Sequence, residues 1–275
     1  MLISAFIPVF NEEKRIEHAL ISLQWCDEIV LLDKRSSDRT VEIAKQFGDK
    51  VRIFYMDNSS AYNPGEWDVM MEQCKGDWLI RFTASDVLHP GLAEDILKLI
   101  RQPDFKHDII NIPHRRFVLG LDIKGSPWFS KVCPMVFRKS RLRVDKADVH
   151  AALKFEGSSY TMPESTKYCM YHLTHENVDI MMERHLRYWR GEAIGAEKED
   201  LKVQFKQVLN AFFRLTFIKR SFMYGWDGIM LAFAFITYQM MSFVYKWEKK
   251  RGNAAQVYQN IREEIKNDWE QNKQL

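Results

Sequence analysis

The stretch "IPVFNEEKRIEHALISLQWCDEIVLLDKRSSDRTVEIAKQFG", residues 7–48, contains the first complete unit of the fold. It opens inside an apolar, β-branched run (residues 2–9) and continues through a segment whose apolar positions are Ile16, Ala19, Leu20 and Leu23. A second apolar run follows at residues 28–33. Spacings of three and four mark one face of a helix, and the short β-branched runs on either side are strands. The unit is strand, helix, strand.

The alternation continues outward from there. Residues 38–47 read as a helix stopped by Gly48, 51–55 as a strand, 65–75 as a helix and 77–82 as a strand, with Gly76 as a helix stop between the last two. A helix over 91–101, a strand near 108–113 and a further strand with a basic end in "VCPMVFRKSRLRV" (132–144) extend the pattern, which weakens between 160 and 170. Strands alternating with helices of this length predict right-handed βαβ units and a mainly parallel sheet. Ligands of such sheets bind beyond the carboxyl ends of the strands, so the loops at 8–12, 33–38, 56–62 and 83–86 are the ones to read.

Bulk composition narrows the classes. With 275 residues, 46% of them apolar, the chain can bury a sizeable core. Forty Lys+Arg against 37 Asp+Glu is too balanced for general nucleic-acid binding. The four cysteines, Cys26, Cys74, Cys133 and Cys169, show no C-x-x-C spacing, which fits a reduced, cytosolic setting and neither a zinc site nor a disulfide framework. The opening "MLISAFIPVFNEE" reads as a first strand and not as a signal peptide.

From about residue 176 the character changes to long helical segments at 178–194, 201–219, 228–248 and 254–272. The expected division is therefore 1–175 as the sheet domain and 176–275 as a helical extension. The apolar run 229–245 is 17 residues long and contains Thr237, Gln239 and Ser242, short of the roughly 20 residues a spanning helix needs. Around it Phe205, Phe212, Phe213, Phe217, Phe222, Trp226 and Trp247 alternate with Lys202, Lys206, Arg214, Lys219, Arg220 and Lys246. Rings and cations on neighbouring helices suit a membrane surface. An ordinary helical core with a solvated basic rim, or a contact in a homo-oligomer, is the alternative.

Residues 7–48 together with "GDWLIRFTASD" (76–86) resemble family 2 glycosyltransferases, nearest the group containing the bacterial lipopolysaccharide-core β-glucosyltransferases. The resemblance extends through "VHAALKFEG" (149–157), "YHLTH" (171–175), "MMERHLRYWRGEA" (181–193) and "FFRLTFIKRSFMYGWDGIMLAF" (212–233), covering roughly residues 1–250. It implies an α/β, GT-A-type mainly parallel sheet with flanking helices plus a C-terminal helical extension. The implied activity is transfer of a sugar from a nucleotide-sugar donor to a glycan or lipid-linked acceptor in envelope polysaccharide biosynthesis. The enzyme would be inverting and would work at the inner face of the cytoplasmic membrane.

Carried over by motif, Pro8, Phe10 and Glu12 border the nucleotide, Asp33 accepts a hydrogen bond from the base or ribose, and Arg81 and Asp86 complete the donor side. Asn11 reads as a residue that orders its loop, and Asp38 as the cap of the following helix.

Two places depart from the family pattern. The family's fourth strand ends in an Asp-x-Asp motif that holds Mg²⁺ or Mn²⁺ against the donor diphosphate; here the two positions are Thr83 and Ser85. Hydroxyls are weak ligands for hard cations. Three outcomes follow: Asp86 with His172 holds a metal, cations such as Arg81, Lys34, Arg35 or Arg115 replace it, or transfer is lost and the chain is a nucleotide-binding scaffold.

The second departure is Ala151, which stands where the family shows the Glu of His-Glu. Asp148 and His150, two apart on an extended segment, become the candidates for base and orienting partner. On the acceptor side, Arg115 in "HRR" could grip an anionic group and Trp128 in "GLDIKGSPW" could stack on a sugar. Arg184, Arg187 and Tyr188 share a helix face and either line the acceptor groove or cover the sheet.

Overall fold

The computed structural model describes residues 1–57, 65–144, 153–194, 196, 200–252 and 254–271. The sheet half runs β1 (Ile3–Val9), α1 (Ile16–Ser22), β2 (Glu28–Asp33), α2 (Thr40–Lys45), β3 (Val51–Tyr55), α3 (Gly65–Gln73), β4 (Trp78–Arg81), β5 (Asp86–Leu88), α4 (Pro90–Ile100) and β6 (Ile109–Val118). It continues with β7 (Val132–Arg138), β8 (Leu142–Val144), β9 (Leu153–Phe155), β10 (Ser159–Thr161) and β11 (Met170–Thr174). Four helices follow: α5 (Val178–Glu192), α6 (Leu201–Phe213), α7 (Gly225–Arg251) and α8 (Ala254–Gln271).

The strands join in the order β3-β2-β1-β4-β7-β6-β11-β5, with β10 also on β6, and β8-β9 form a separate ribbon. β1 is parallel to β2 and β4, β2 to β3, and β6 to β10 and β11, while β4–β7, β7–β6 and β11–β5 are antiparallel. The sheet is thus the expected GT-A-type α/β layer, mixed but mostly parallel.

Alternation along β1 explains the layering. Ala5, Ile7 and Val9 join Ile29, Leu31 and Ile80 in the core under α1 and α4, whereas Phe6 joins Val30, Leu32, Leu79 and Met70 of α3 on the other face. With helices on both faces β1 and β2 are covered on both sides, and the β1 run reads as apolar apart from Ser4. Each such Leu or Ile contributes about 1.5–3 kcal/mol by leaving water.

Gly76 is where the chain passes closest to β1. A Cβ there would lie 2.6 Å from the Ser4 nitrogen, and the Gly76 N–H donates to Ser4 Oγ at 2.7 Å. Beyond the expected helix stop, the glycine makes room for that approach.

β1 lies between β2 and β4, so the connections leave it in opposite directions and open a crevice at their carboxyl ends. α5 starts at Asn177, whose side chain accepts the Ile180 N–H at 2.9 Å, and brings its arginines over that crevice.

Helix α7 extends the apolar run 229–245 at both ends, so the segment Ser221–Arg251, 31 residues, is long and apolar enough to cross a membrane by length and composition. The sequence expectation counted only the uninterrupted run. Only 17% of its most apolar window is buried. One face packs on the protein: Tyr238 and Ser242 donate to the Glu192 carboxylate of α5, and Lys246 donates to Gln204 Oε1 of α6. Phe233, Met240, Val244 and Trp247 are exposed.

Candidate functional site

Two loops close one side of the crevice. After β1, Asn11 adopts φ 54°; its N–H donates to Ser36 Oγ at 2.9 Å, and its side-chain oxygen accepts the Ser37 N–H at 2.8 Å. Asparagine tolerates this left-handed conformation better than most residues, and the two bonds fasten the loop after β1 to the loop after β2. Asp33, 1% exposed, accepts the Ser36 N–H on both carboxylate oxygens at 3.2 Å. Asp38 accepts the Thr40 N–H at 3.0 Å and the Glu13 N–H at 3.0 Å, so it sits one residue before the cap position, Arg39, and braces both the entry to α2 and the first loop.

Glu12 turns inward. Its carboxylate pairs with Arg15 and, at 3.8 Å, with Arg184. Burial raises its pKa above the ordinary value even though Arg15 and Arg184 pull it down.

The turn after β4 forms the floor. Asp86, 2% exposed, accepts both the N–H (2.7 Å) and the hydroxyl (2.8 Å) of Thr83 on Oδ2, and its Oδ1 lies 2.6 Å from Nδ1 of His172. Ser85 Oγ accepts from Arg15 at 3.0 Å. Behind this row His114 is buried with its Nδ1 unpartnered, and burial next to Arg116 pushes its pKa down to about 4.

Helix α5 supplies the opposite wall. Arg184 donates to Thr174 Oγ1 at 2.9 Å, and Arg187 lies over the Phe10 ring, 5.7 Å from its centroid. The resulting cleft, about 190 Å³, is lined by Pro8, Phe10, Glu12, Lys34, Thr83, Ser85, His172, Arg184, Arg187 and Tyr188, among others. It adjoins a larger one of about 370 Å³ that shares Phe10, Glu12, Arg184 and Arg187 and reaches Arg15. Lys34 is paired with Glu66.

The sequence-derived residues distribute as follows. Pro8, Phe10 and Glu12 line the cleft. Asp33 lies buried at the end of β2, and Asp86 is buried behind Thr83 and His172. Arg81 stacks on Trp67 at 4.5 Å, and Arg115 donates to Asp122 at 2.6 Å and lies over Phe117. Arg35 is exposed and paired with Asp57. Trp128 meets the edge of Phe235 at 5.4 Å. Asp148 and His150 fall outside the described residues.

Of the four cations named as substitutes for a metal, Lys34 alone lines the cleft; Arg15, Arg184 and Arg187 are the ones the fold adds. The three-four spacing in "ERHLRYWR" signalled Arg184 and Arg187, but nothing local marks Arg15, which meets Ser85 seventy residues away.

The residues present do not fit a hard divalent cation. Such ions take six or more oxygen ligands, carboxylates foremost. Asp86 spends both oxygens on Thr83 and His172, the Thr83 hydroxyl is given to Asp86, and Ser85 faces a guanidinium. Among the described residues no three His, Cys, Asp or Glu side chains come together as ligands.

Comparison with known proteins gives four results. Residues 4–153 match the model of "Glycosyl transferase family 2". An "Uncharacterized glycosyltransferase" of Rickettsia bellii is 25% identical over 255 residues, 85% of this chain and 82% of that one. A "Lipopolysaccharide core biosynthesis glycosyltransferase" of Rhizobium meliloti is 30% identical over 162 residues, 57% of this chain and 58% of that one. Among solved structures, S. aureus TarS in complex with UDP-GlcNAc aligns over 91% of both chains with 15% identity and a TM-score of 0.48.

Proposed function

The chain belongs to glycosyl transferase family 2, and from that premise we propose that it moves a sugar from a nucleotide-sugar donor to a glycan or lipid-linked acceptor in bacterial envelope polysaccharide biosynthesis. The observation that carries this reading is the cleft at the ends of β1 and β4, where Pro8, Phe10, Glu12, Thr83 and Ser85 face Arg184 and Arg187. The similarity to a lipopolysaccharide core enzyme supports the acceptor class.

In this reading Phe10 and the loop after β1 border the nucleotide. Asp33 stiffens the second loop through Ser36 and is the donor-side carboxylate nearest the base and ribose. Arg81 and Asp86 support the floor from behind. An inverting transfer needs a base to take the acceptor hydroxyl's proton, a role that Asp148 and His150 fill, with Arg115 and Trp128 toward the acceptor. Residues 1–175 are the donor-binding unit, with α5 closing its cleft, and 176–275 attach it to the inner face of the cytoplasmic membrane. Exposed Phe212, Phe213, Phe217, Phe222, Trp226 and Phe233 support that attachment, as do Lys202, Lys206, Arg214, Lys219 and Arg220 along the same helices.

Turnover of a panel of nucleotide-sugars, followed as release of nucleoside diphosphate, tests the proposal. Release from one donor, stimulated by lipopolysaccharide core acceptors, is the expected result. A second reading, a nucleotide-binding scaffold without transferase activity, is favoured by Thr83 and Ser85 in place of carboxylates. Nucleotide binding without turnover of any donor would select it.

A further inference from the structure

Resting on that reading of the cleft, we propose that the donor diphosphate is held by Arg15, Arg184 and Arg187 in place of a divalent cation. The family's second motif carboxylate would stand at Ser85, and there the Arg15 guanidinium donates to the hydroxyl at 3.0 Å. A dication placed at that point would meet a fixed positive charge.

The charge balance of the cleft agrees. Glu12 is shared between Arg15 and Arg184 and also feels the charge of Arg187, which lies over the Phe10 face, and Lys34 is matched by Glu66. In the smaller cleft, with Arg15 reaching its Ser85 edge, three arginines stand against Glu12, while Glu13, Asp38, Glu176 and Glu183 line the adjoining cavity; the excess of positive charge is local to the smaller cleft, where the diphosphate is placed. Burial and the nearby Arg15 lower the pKa of Arg184, as expected of a cation held partly out of water without enough anion around it. Arginine forks suit phosphate oxygens, and bonds to a charged acceptor are the strong ones.

The chemistry follows without further parts. The acceptor oxygen bonds to the anomeric carbon and its proton passes to the base. The bond from that carbon to the diphosphate oxygen breaks with its electron pair left on phosphate. The departing diphosphate gains one negative charge beside guanidinium groups already in position, which is where preorganised charge lowers a barrier.

Calorimetric titration of the full chain with UDP, GDP, ADP and CDP, in EDTA and in Mn²⁺, tests this. One diphosphate is expected to bind with affinities within about threefold in the two buffers. Arg15→Gln and Arg187→Gln should each weaken it by about 10- to 100-fold; Arg187 is exposed, so its substitution leaves the melting temperature unchanged. Ser85→Asp should also weaken binding in EDTA, because the new carboxylate would take Arg15 from the phosphate.

Binding lost in EDTA and restored by Mn²⁺, or unchanged affinity in both arginine variants, overturns the proposal and leaves the transferase reading intact. No binding of any diphosphate in either buffer removes the donor reading and this proposal together.

Discussion

Nδ1 of His172 lies 2.6 Å from Oδ1 of Asp86, and the two residues are direct partners in the antiparallel pairing of β11 with β5. A carboxylate can only accept, so the proton of that bond is on Nδ1 of His172, a residue that also lines the cleft. The other Asp86 oxygen holds the Thr83 backbone and hydroxyl. Asp86 is thus a clamp on the turn and on a histidine.

Removing the clamp should be costly. Asp86→Ala leaves the Thr83 N–H and the His172 ring without their acceptor and is expected to destabilise the fold by about 2–3 kcal/mol, with Asp86→Asn milder. Urea unfolding of the two variants against the parent checks it; equal stability of all three would contradict the clamp.

Acid should destabilise the protein from near neutrality downward. His114, His175 and His185 are buried, and desolvation lowers their pKa values to about 4, about 3 and about 4. Their unfolded value is near 6.5, so below that pH the unfolded chain binds protons that the folded one refuses. Their contribution is complete above pH 6.5 and is lost as pH falls toward 4, at up to about 1.4 kcal/mol per pH unit for each histidine. Glu12, whose pKa is raised, acts in the opposite direction but is one group against three. Unfolding free energies at pH 7.5, 6.0 and 5.0 should therefore fall in that order, and a flat profile would count against it.

Gly76→Ala should cost stability although the residue is outside the cleft. The added methyl would sit 2.6 Å from the Ser4 nitrogen and 2.7 Å from its hydroxyl, both fixed in β1. Forcing atoms into a packed site costs about 1–3 kcal/mol, and differential scanning calorimetry should show a lowered melting temperature.

Lipid binding should depend on the exposed rings of the C-terminal helices. Phe217, Trp226 and Phe233 are 59%, 76% and 66% exposed. Replacing all three by Ser should leave unfolding unchanged yet lower sedimentation with phosphatidylglycerol-containing vesicles by at least about tenfold. Undiminished sedimentation, or none by the parent chain, speaks against attachment through these helices.

The first strands were legible because both faces of β1 and β2 are covered, so a run such as residues 3–9 is apolar apart from Ser4, and because helices such as α1 show their buried face at Ile16, Ala19 and Leu20. Asn11 was legible for a local reason: its partners lie in the neighbouring loop that any strand-helix-strand unit brings together, and Asp38, expected as the cap, sits one residue before it and bonds the first loop as well. β11 was not. Its sequence, Met-Tyr-His-Leu-Thr, mixes polar and apolar residues, and it becomes a strand by pairing with β5, more than eighty residues earlier, and with β6. Arg15 failed for the same reason, since a helix-start arginine looks like solvent-facing charge until Ser85 is beside it.

That late return of β11 and α5 has a consequence for synthesis. A nascent chain halted before residue 170 would own Phe10, Glu12 and Ser85 but not His172, Arg184 or Arg187, so one wall of the cleft would be missing. The cleft is therefore walled on both sides only after β11 and α5 have emerged, late in the chain.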